Sequence, residues 1–269
     1  MRHGGTLQSD HLLIWFRFLL VTLQIEHILD ECDPVEMHKR LHSLPTNVTA
    51  AFVNVFERLS PSTRNFARRI LGWIFHAKRI LKMGELLEAL AVQVEEVGVR
   101  SFDSRKMSSA DLVVRACGGL IAYDRNSHLV TFSHETVRPF LDENELGNLP
   151  SHSDLCKVCM RSLEMVGPGW TDASIKELGR DLRESESGFS NYAARFWAAH
   201  AVFASETQRE TELEAMIVCI FSNPHTRLFV ETLGHSGDAG QPLLHFFIEN
   251  KLNFLFGPPS PAGQLDRDT

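Results

Sequence analysis

Apolar residues recur three and four positions apart over most of the chain, the period of a helix with one buried face. Leu12, Phe16, Leu19 and Leu23 make the first such stripe. Asp33-Pro34-Val35-Glu36 then predicts a helix start, with an acidic N-cap, proline at the first helical position and a glutamate placed to reach back. Leu44-Pro45-Thr46 ends that helix and begins another, which runs to about Leu59 and buries Phe52, Val55 and Phe56. Ser60-Pro61 restarts the chain. Residues 63–79 place Phe66, Ile70, Trp73, Ile74 and Ala77 on one face, with Arg64, Arg68 and Arg69 largely elsewhere, which predicts an amphipathic helix with a basic outside. Ile80 and Leu81 link to a helix over 84–92, a polar stretch covers 98–106, and a shorter helix over 109–117 stops at Gly118-Gly119.

The period then drops to two. Leu120-Ile121-Ala122-Tyr123 and Leu129-Val130-Thr131-Phe132 read as short strands joined by the polar Asp124–His128 connection, a hairpin. Helical spacing resumes from His134 to Leu141. Three helices, a two-stranded hairpin and a return helix make a winged helix. Beyond Leu149-Pro150 the spacing predicts helices over about 153–165, 172–185, 190–204, 207–221 and 224–233. The expected fold class is mainly all-α: a helical segment (1–60), a winged helix with one small β-hairpin (61–146), a C-terminal helical domain (151–235), then a short helix and a disordered tail (236–269).

Composition adds limits. In 269 residues, 43% hydrophobic and 23% charged side chains exclude fibrous and wholly disordered classes. Net charge is -7, yet residues 58–82 hold Arg58, Arg64, Arg68, Arg69, Lys78, Arg79 and Lys82 with no acid among them. The five cysteines are odd in number and scattered, which predicts reduced thiols and a cytoplasmic setting rather than a disulfide scaffold. Leu12–Ile25 contains Arg17 and is too short to span a bilayer, so no membrane partner is expected, and the sequon Asn47-Val48-Thr49 is expected to stay unglycosylated.

Candidate chemistry is sparse. Arg64, Arg68 and Arg69 are the candidate nucleic-acid contacts, but the helix before the wing, which would read bases, offers Arg115 opposed by Asp111, and the wing tip offers Arg125 and His128. His152, Cys156 and Cys159 share a helix face without a second ligand pair, so buried thiols are expected rather than a metal site. Gly234-His235-Ser236-Gly237-Asp238 misses a nucleophile elbow, and His134-Glu135 is not followed by the second histidine of H-E-x-x-H, so no enzyme is expected. Tyr192, Trp197 and His200 fall on neighbouring turns of one helix and read as core.

Seven stretches carry a family likeness in order: FRFLLVTLQIEHI (16–28), LHSLPTNVTAAFVNVFERL (41–59), ARRILGWIFHAKRILKMGELLEAL (67–90), ACGGLIAYD (116–124), VTFSHETVRPFL (130–141), the Cys159 to Ser162-Leu163 segment and NYAARFWAAHA (191–201). Together they resemble fungal NACHT-type STAND proteins, the NLR-like signalling ATPases, over the GPI inositol-deacylase-type winged-helix domain and the helices after it. The resemblance implies a non-catalytic regulatory module of signal transduction, with His134 as the residue that reaches the diphosphate of bound ADP and holds the off state. It implies ADP or ATP only through an upstream NACHT ATPase domain, because these 269 residues contain no G-x-x-x-x-G-K-[ST] phosphate loop. The chain is then expected to be a piece of a longer product or a truncated relative. The family often continues into ankyrin repeats, and Gln241-Pro242-Leu243-Leu244-His245 resembles the T-P-L-H opening of one with a residue too many. The alternative of another class is a standalone protein-interaction scaffold; a DNA-binding winged helix is the third.

Overall fold

The computed structural model describes residues 20–25, 28–29, 32–92, 108–143, 149–164, 171–174, 177, 188–207 and 211–234. The start of the first apolar stripe, the polar stretch 98–106, most of the helix expected over 172–185, the Gly234–Asp238 loop beyond its first residue, and the tail with its ankyrin-like motif lie outside them. Among the described residues no helix is long and apolar enough to cross a membrane. The chain is mainly helical with a small amount of antiparallel sheet, and it divides into two compact units: Met1–Phe75 with Ser109–Leu149, and His76–Ser108 with Pro150–Thr269.

In the first unit, α1 (Pro34–His42) starts as its residues dictate, with the Asp33 carboxylate accepting from Val35 N–H at 2.9 Å and proline in the first turn. Glu36, placed to reach back to the cap, instead pairs with Lys39 at 2.5 Å. Asn47 caps α2 (Val48–Arg58) by accepting from Ala50 N–H at 2.8 Å, so the sequon's asparagine carries a helix start. Val48, Ala51, Phe52, Val55 and Phe56 are buried on α2. The basic helix, α3, spans Pro61–His76 and buries Ala67, Ile70, Leu71, Gly72 and Trp73. It ends one residue before Ala77, and Phe66 and Ile74 are only half-buried, so the buried face is rotated toward Ala67 and Leu71 from the predicted one.

Ser109 caps α5 (Ala110–Ala116) by accepting from Leu112 N–H. Gly118 (φ 53°) and Gly119 (φ 82°) then turn the chain in the left-handed region. The hairpin pairs β2 (Ile121–Tyr123) with β3 (Leu129–Phe132) antiparallel, with Ile121 opposite Phe132 and Tyr123 opposite Val130. Its polar connection folds around Asp124, whose carboxylate accepts from Asn126 N–H at 2.9 Å and the Ser127 hydroxyl at 2.5 Å. Those bonds hold the Asp124 carboxyl below the usual range, the Ser127 hydroxyl foremost. His128 closes the turn at φ 59°, a conformation histidine tolerates better than most side chains. The return helix α6 (Val137–Glu143) puts Phe140 4.9 Å from Phe52, ring to ring, which joins the end of the wing to α2.

The second unit holds the two-residue strand β1 (Leu81–Lys82), α4 (Met83–Ala91), α7 (His152–Glu164), α8 (Phe189–Thr207), α9 (Thr211–Phe221) and α10 (Pro224–Gly234). Its core is the α7–α8 pair, where Leu155, Met160, Leu163, Tyr192, Ala193, Trp197 and Ala201 are buried. Phe221 of α9 meets Trp197 at 4.8 Å. Glu88 of α4 accepts from Phe189 N–H at 2.7 Å and so covers a donor that the first turn of α8 cannot satisfy itself.

Candidate functional site

His134 stands on the turn between wing and return helix. Ser133 N–H donates to Leu120 O at 3.0 Å, one residue beyond the hairpin ladder, and Val137 N–H donates to His134 O at 3.2 Å as α6 begins. Its ring is half-buried, and its Nδ1 lies 3.2 Å from Thr136 N–H and 2.9 Å from Thr136 Oγ1. A nitrogen that accepts from a backbone N–H carries no proton, so the neutral ring has its hydrogen on Nε2. Glu135 beside it is exposed. Arg138, one turn on, donates to Phe75 O at 2.8 Å and lies 4.8 Å over the Phe75 ring and 5.8 Å over that of Phe132. It ties the return helix to the last turn of α3 and to the wing, a role with no local signal in the sequence.

The basic stretch is largely committed to protein partners. Arg64 donates to Phe56 O at 3.0 Å, Glu57 O at 2.9 Å and Leu59 O at 3.2 Å, so one guanidinium gathers three carbonyls where α2 ends. Arg68 donates to Asn65 Oδ1 at 3.2 Å, while Arg69 is exposed. Lys78 lies 3.7 Å over the Phe203 ring. Arg79 grips Glu85 with both arms, at 2.7 and 2.5 Å, and Glu85, only 1% exposed, also accepts from Lys82 N–H at 2.9 Å as α4 begins. At the wing tip Arg125 pairs with Asp111 of α5 at 2.8 Å, so this wing-tip cation sits on a carboxylate of the would-be reading helix.

The second unit holds a polar cluster that the sequence separates widely. Lys78 N–H donates to the Tyr192 hydroxyl oxygen at 3.1 Å, and that hydroxyl lies 2.9 Å from His200 Nε2. His200 Nδ1 is 2.8 Å from His152 Nδ1, and the His76 ring packs 4.4 Å from that of His152. With His200 Nε2 bare, Tyr192 accepts from Lys78 N–H and donates its own proton to His200, whose Nδ1–H then faces His152 Nδ1; this tautomer satisfies all three contacts. Burial, with His76 and Lys78 adding to it, draws His152 down to about 4. Burial followed by His152, Lys78 and His76 draws His200 to about 3, and burial foremost pushes the Tyr192 phenol up. All three are therefore neutral at pH 7.

Tyr192, Trp197 and His200 are indeed interior residues, but His200 is also the middle of a hydrogen-bonded chain. Cys156, on the face it shares with His152, donates to Trp197 O at 3.5 Å, and burial pushes the Cys156 and Cys159 thiols up. A thiol held protonated is a poor metal ligand and a poor nucleophile. Among the described residues no group of three or more His, Cys, Asp or Glu side chains is placed to hold a metal ion.

Residues 56–151 match the family described as GPI inositol-deacylase, winged helix domain. That span reaches five residues beyond each end of the winged helix expected over 61–146 and runs from the end of α2 through α3, α4, α5, the hairpin and α6 to the residue before α7. No curated protein and no solved structure matches the chain.

Proposed function

We propose that this chain is a non-catalytic regulatory module, in which the winged helix docks on a NACHT-type STAND ATPase domain and favours its ADP-bound off state. The observation that carries the proposal is the winged-helix match over 56–151, with His134 seated where the wing turns into the return helix. The Nε2–H of that ring is a donor suited to a diphosphate oxygen. Because the chain has no phosphate loop of its own, nucleotide enters only through the partner ATPase. The module then acts on a two-state element, lowering the free energy of one conformation through contacts made only there.

The test is the 5′ end of the native transcript. A phosphate-binding loop in frame upstream of Met1 is the expected result, and in that longer product His134→Ala should release ADP faster and raise basal signalling. A transcript that starts at Met1 would overturn the nucleotide role.

A second reading, a standalone interaction scaffold, is favoured by Val21 and Ile25, which lie four residues apart on helical backbone and are 47% and 49% exposed. Apolar side chains repeated on one helix face suit a protein partner. The pairing of Arg64 with backbone and of Arg125 with Asp111 leaves DNA binding the weakest of the three readings.

A further inference from the structure

The Tyr192–His200–His152 chain lies where the polypeptide passes into the second unit. The chain crosses first between Phe75 and His76 and last between Leu149 and Pro150, and both crossings lead within two residues to a member of the cluster, His76 and His152. Lys78 N–H, bonded to Tyr192, ties the first of these segments to α8, and the His200–His152 bond ties the second. We infer that this cluster is a proton-sensitive clasp that holds the His76–Lys78 segment and the start of α7 against α8 at neutral pH and lets them go on mild acidification.

The geometry requires this direction. The 2.8 Å approach of the two Nδ1 atoms accommodates one hydrogen between them. A proton added to His152 Nδ1 sets two N–H groups against each other, and one added to His200 Nε2 removes the acceptor of the Tyr192 hydroxyl. Neither ring can take a proton and keep its bonds. The surrounding charges push the same way. Lys78 and His76 face the rings from the crossing segment, and Lys78 Nζ sits over Phe203 of α8, which also stacks on His152 at 4.8 Å.

The acids of α4 do not compensate. Glu85 is held by Arg79, and both act on Tyr192 rather than on the rings, as does the Cys159 thiol of α7. Glu88 accepts from Phe189 N–H. Farther out, Phe221 of α9 meets Trp197, and His225 of α10 lies 4.0 Å from Asp172.

Freed from the clasp, both imidazoles regain an ordinary affinity for protons, near pH 6.5, while the closed form takes up almost none above pH 5. Acid therefore acts on the open form alone. Between pH 7.5 and 5.5 each ring multiplies the opening equilibrium by about tenfold, and the two together by about a hundredfold.

Hydrogen exchange of the whole chain at these two pH values, with each rate corrected for the intrinsic exchange of an unprotected amide, tests the inference. The Lys78 amide should lose about a hundredfold in protection at pH 5.5, while amides of α2 in the first unit change little. His152→Asn, which keeps a nitrogen and an oxygen near the Nδ1 position but does not titrate, should reduce the loss to about tenfold. Should that variant not fold, the wild-type comparison alone decides. Unchanged protection at Lys78, or an equal loss across α2 and Lys78, overturns the clasp.

Discussion

Gly118→Ala is expected to destabilise the first unit by about 3 kcal/mol, through two separable costs. The left-handed φ of 53° costs an alanine about 1 kcal/mol. The remainder comes from space, because a methyl at Gly118 would stand closer than 3.0 Å to Val55 Cγ1, a side chain only 5% exposed in the core of α2. Relief requires Val55 to shift against buried neighbours, and overpacking of this kind costs roughly 1–3 kcal/mol. Val55→Ala removes the obstructing methyls at a cost of about 2 kcal/mol for the lost burial. In that background Gly118→Ala should cost only the backbone part, about 1 kcal/mol, so the double variant is about 2 kcal/mol more stable than the sum of the single effects. Urea titrations read by hydrogen exchange in peptides covering 48–58 and 110–123 report the first unit without contribution from the second. Strict additivity, or a Gly118→Ala effect below about 0.5 kcal/mol, would refute the argument.

Three further outcomes can be checked on the same chain. Asn47→Ala removes the oxygen that accepts from Ala50 N–H and should cost about 1 kcal/mol in the first unit. Arg64→Met should cost about 1–3 kcal/mol by uncovering the last carbonyls of α2, whereas Arg68→Met, with its one bond to Asn65, should stay within about 0.5 kcal/mol. Burial raises the Glu88 carboxyl, the Phe189 amide opposes this and Glu85 adds to the rise. A raised carboxyl binds its proton more tightly folded than unfolded, so its contribution to stability falls as pH rises through the carboxylate range. Glu88→Gln keeps an acceptor for Phe189, so its stability relative to wild type should improve from pH 4 to pH 7 in denaturant titrations; a flat difference would contradict the burial argument.

Features that depend on neighbours in sequence were legible from the sequence. Asp33 and Pro34 announce α1, Gly118-Gly119 end α5, and the change from helical to alternating spacing locates the hairpin with its five-residue polar connection. The face of α3 was legible only approximately, because Phe66 and Ala67 both fit an amphipathic stripe and only the packing decides that Ala67 is the buried one. The commitment of Arg79 to Glu85 lay six residues away on the next helix, and nothing in a run of seven bases says which of them is neutralised. The histidine cluster was hidden by distance along the chain. His152 and His200 are 48 residues apart, and Lys78 and Tyr192 are 114 apart, so each looked like a lone side chain on its own helix. Single-helix spacing correctly marked Tyr192 and His200 as interior, but could not show what polar partner each would find there.

The segment His76–Ser108 belongs to the second unit although both of its flanks belong to the first. Neither unit is therefore a continuous stretch of the gene, and the matched span 56–151 is not a severable piece of protein. A recombination event that copied only that span would carry α4 away from α8, stranding Glu88 without Phe189. Inheritance of this winged helix thus drags the downstream helices with it, and a donor sequence can be exchanged cleanly only at borders that enclose both.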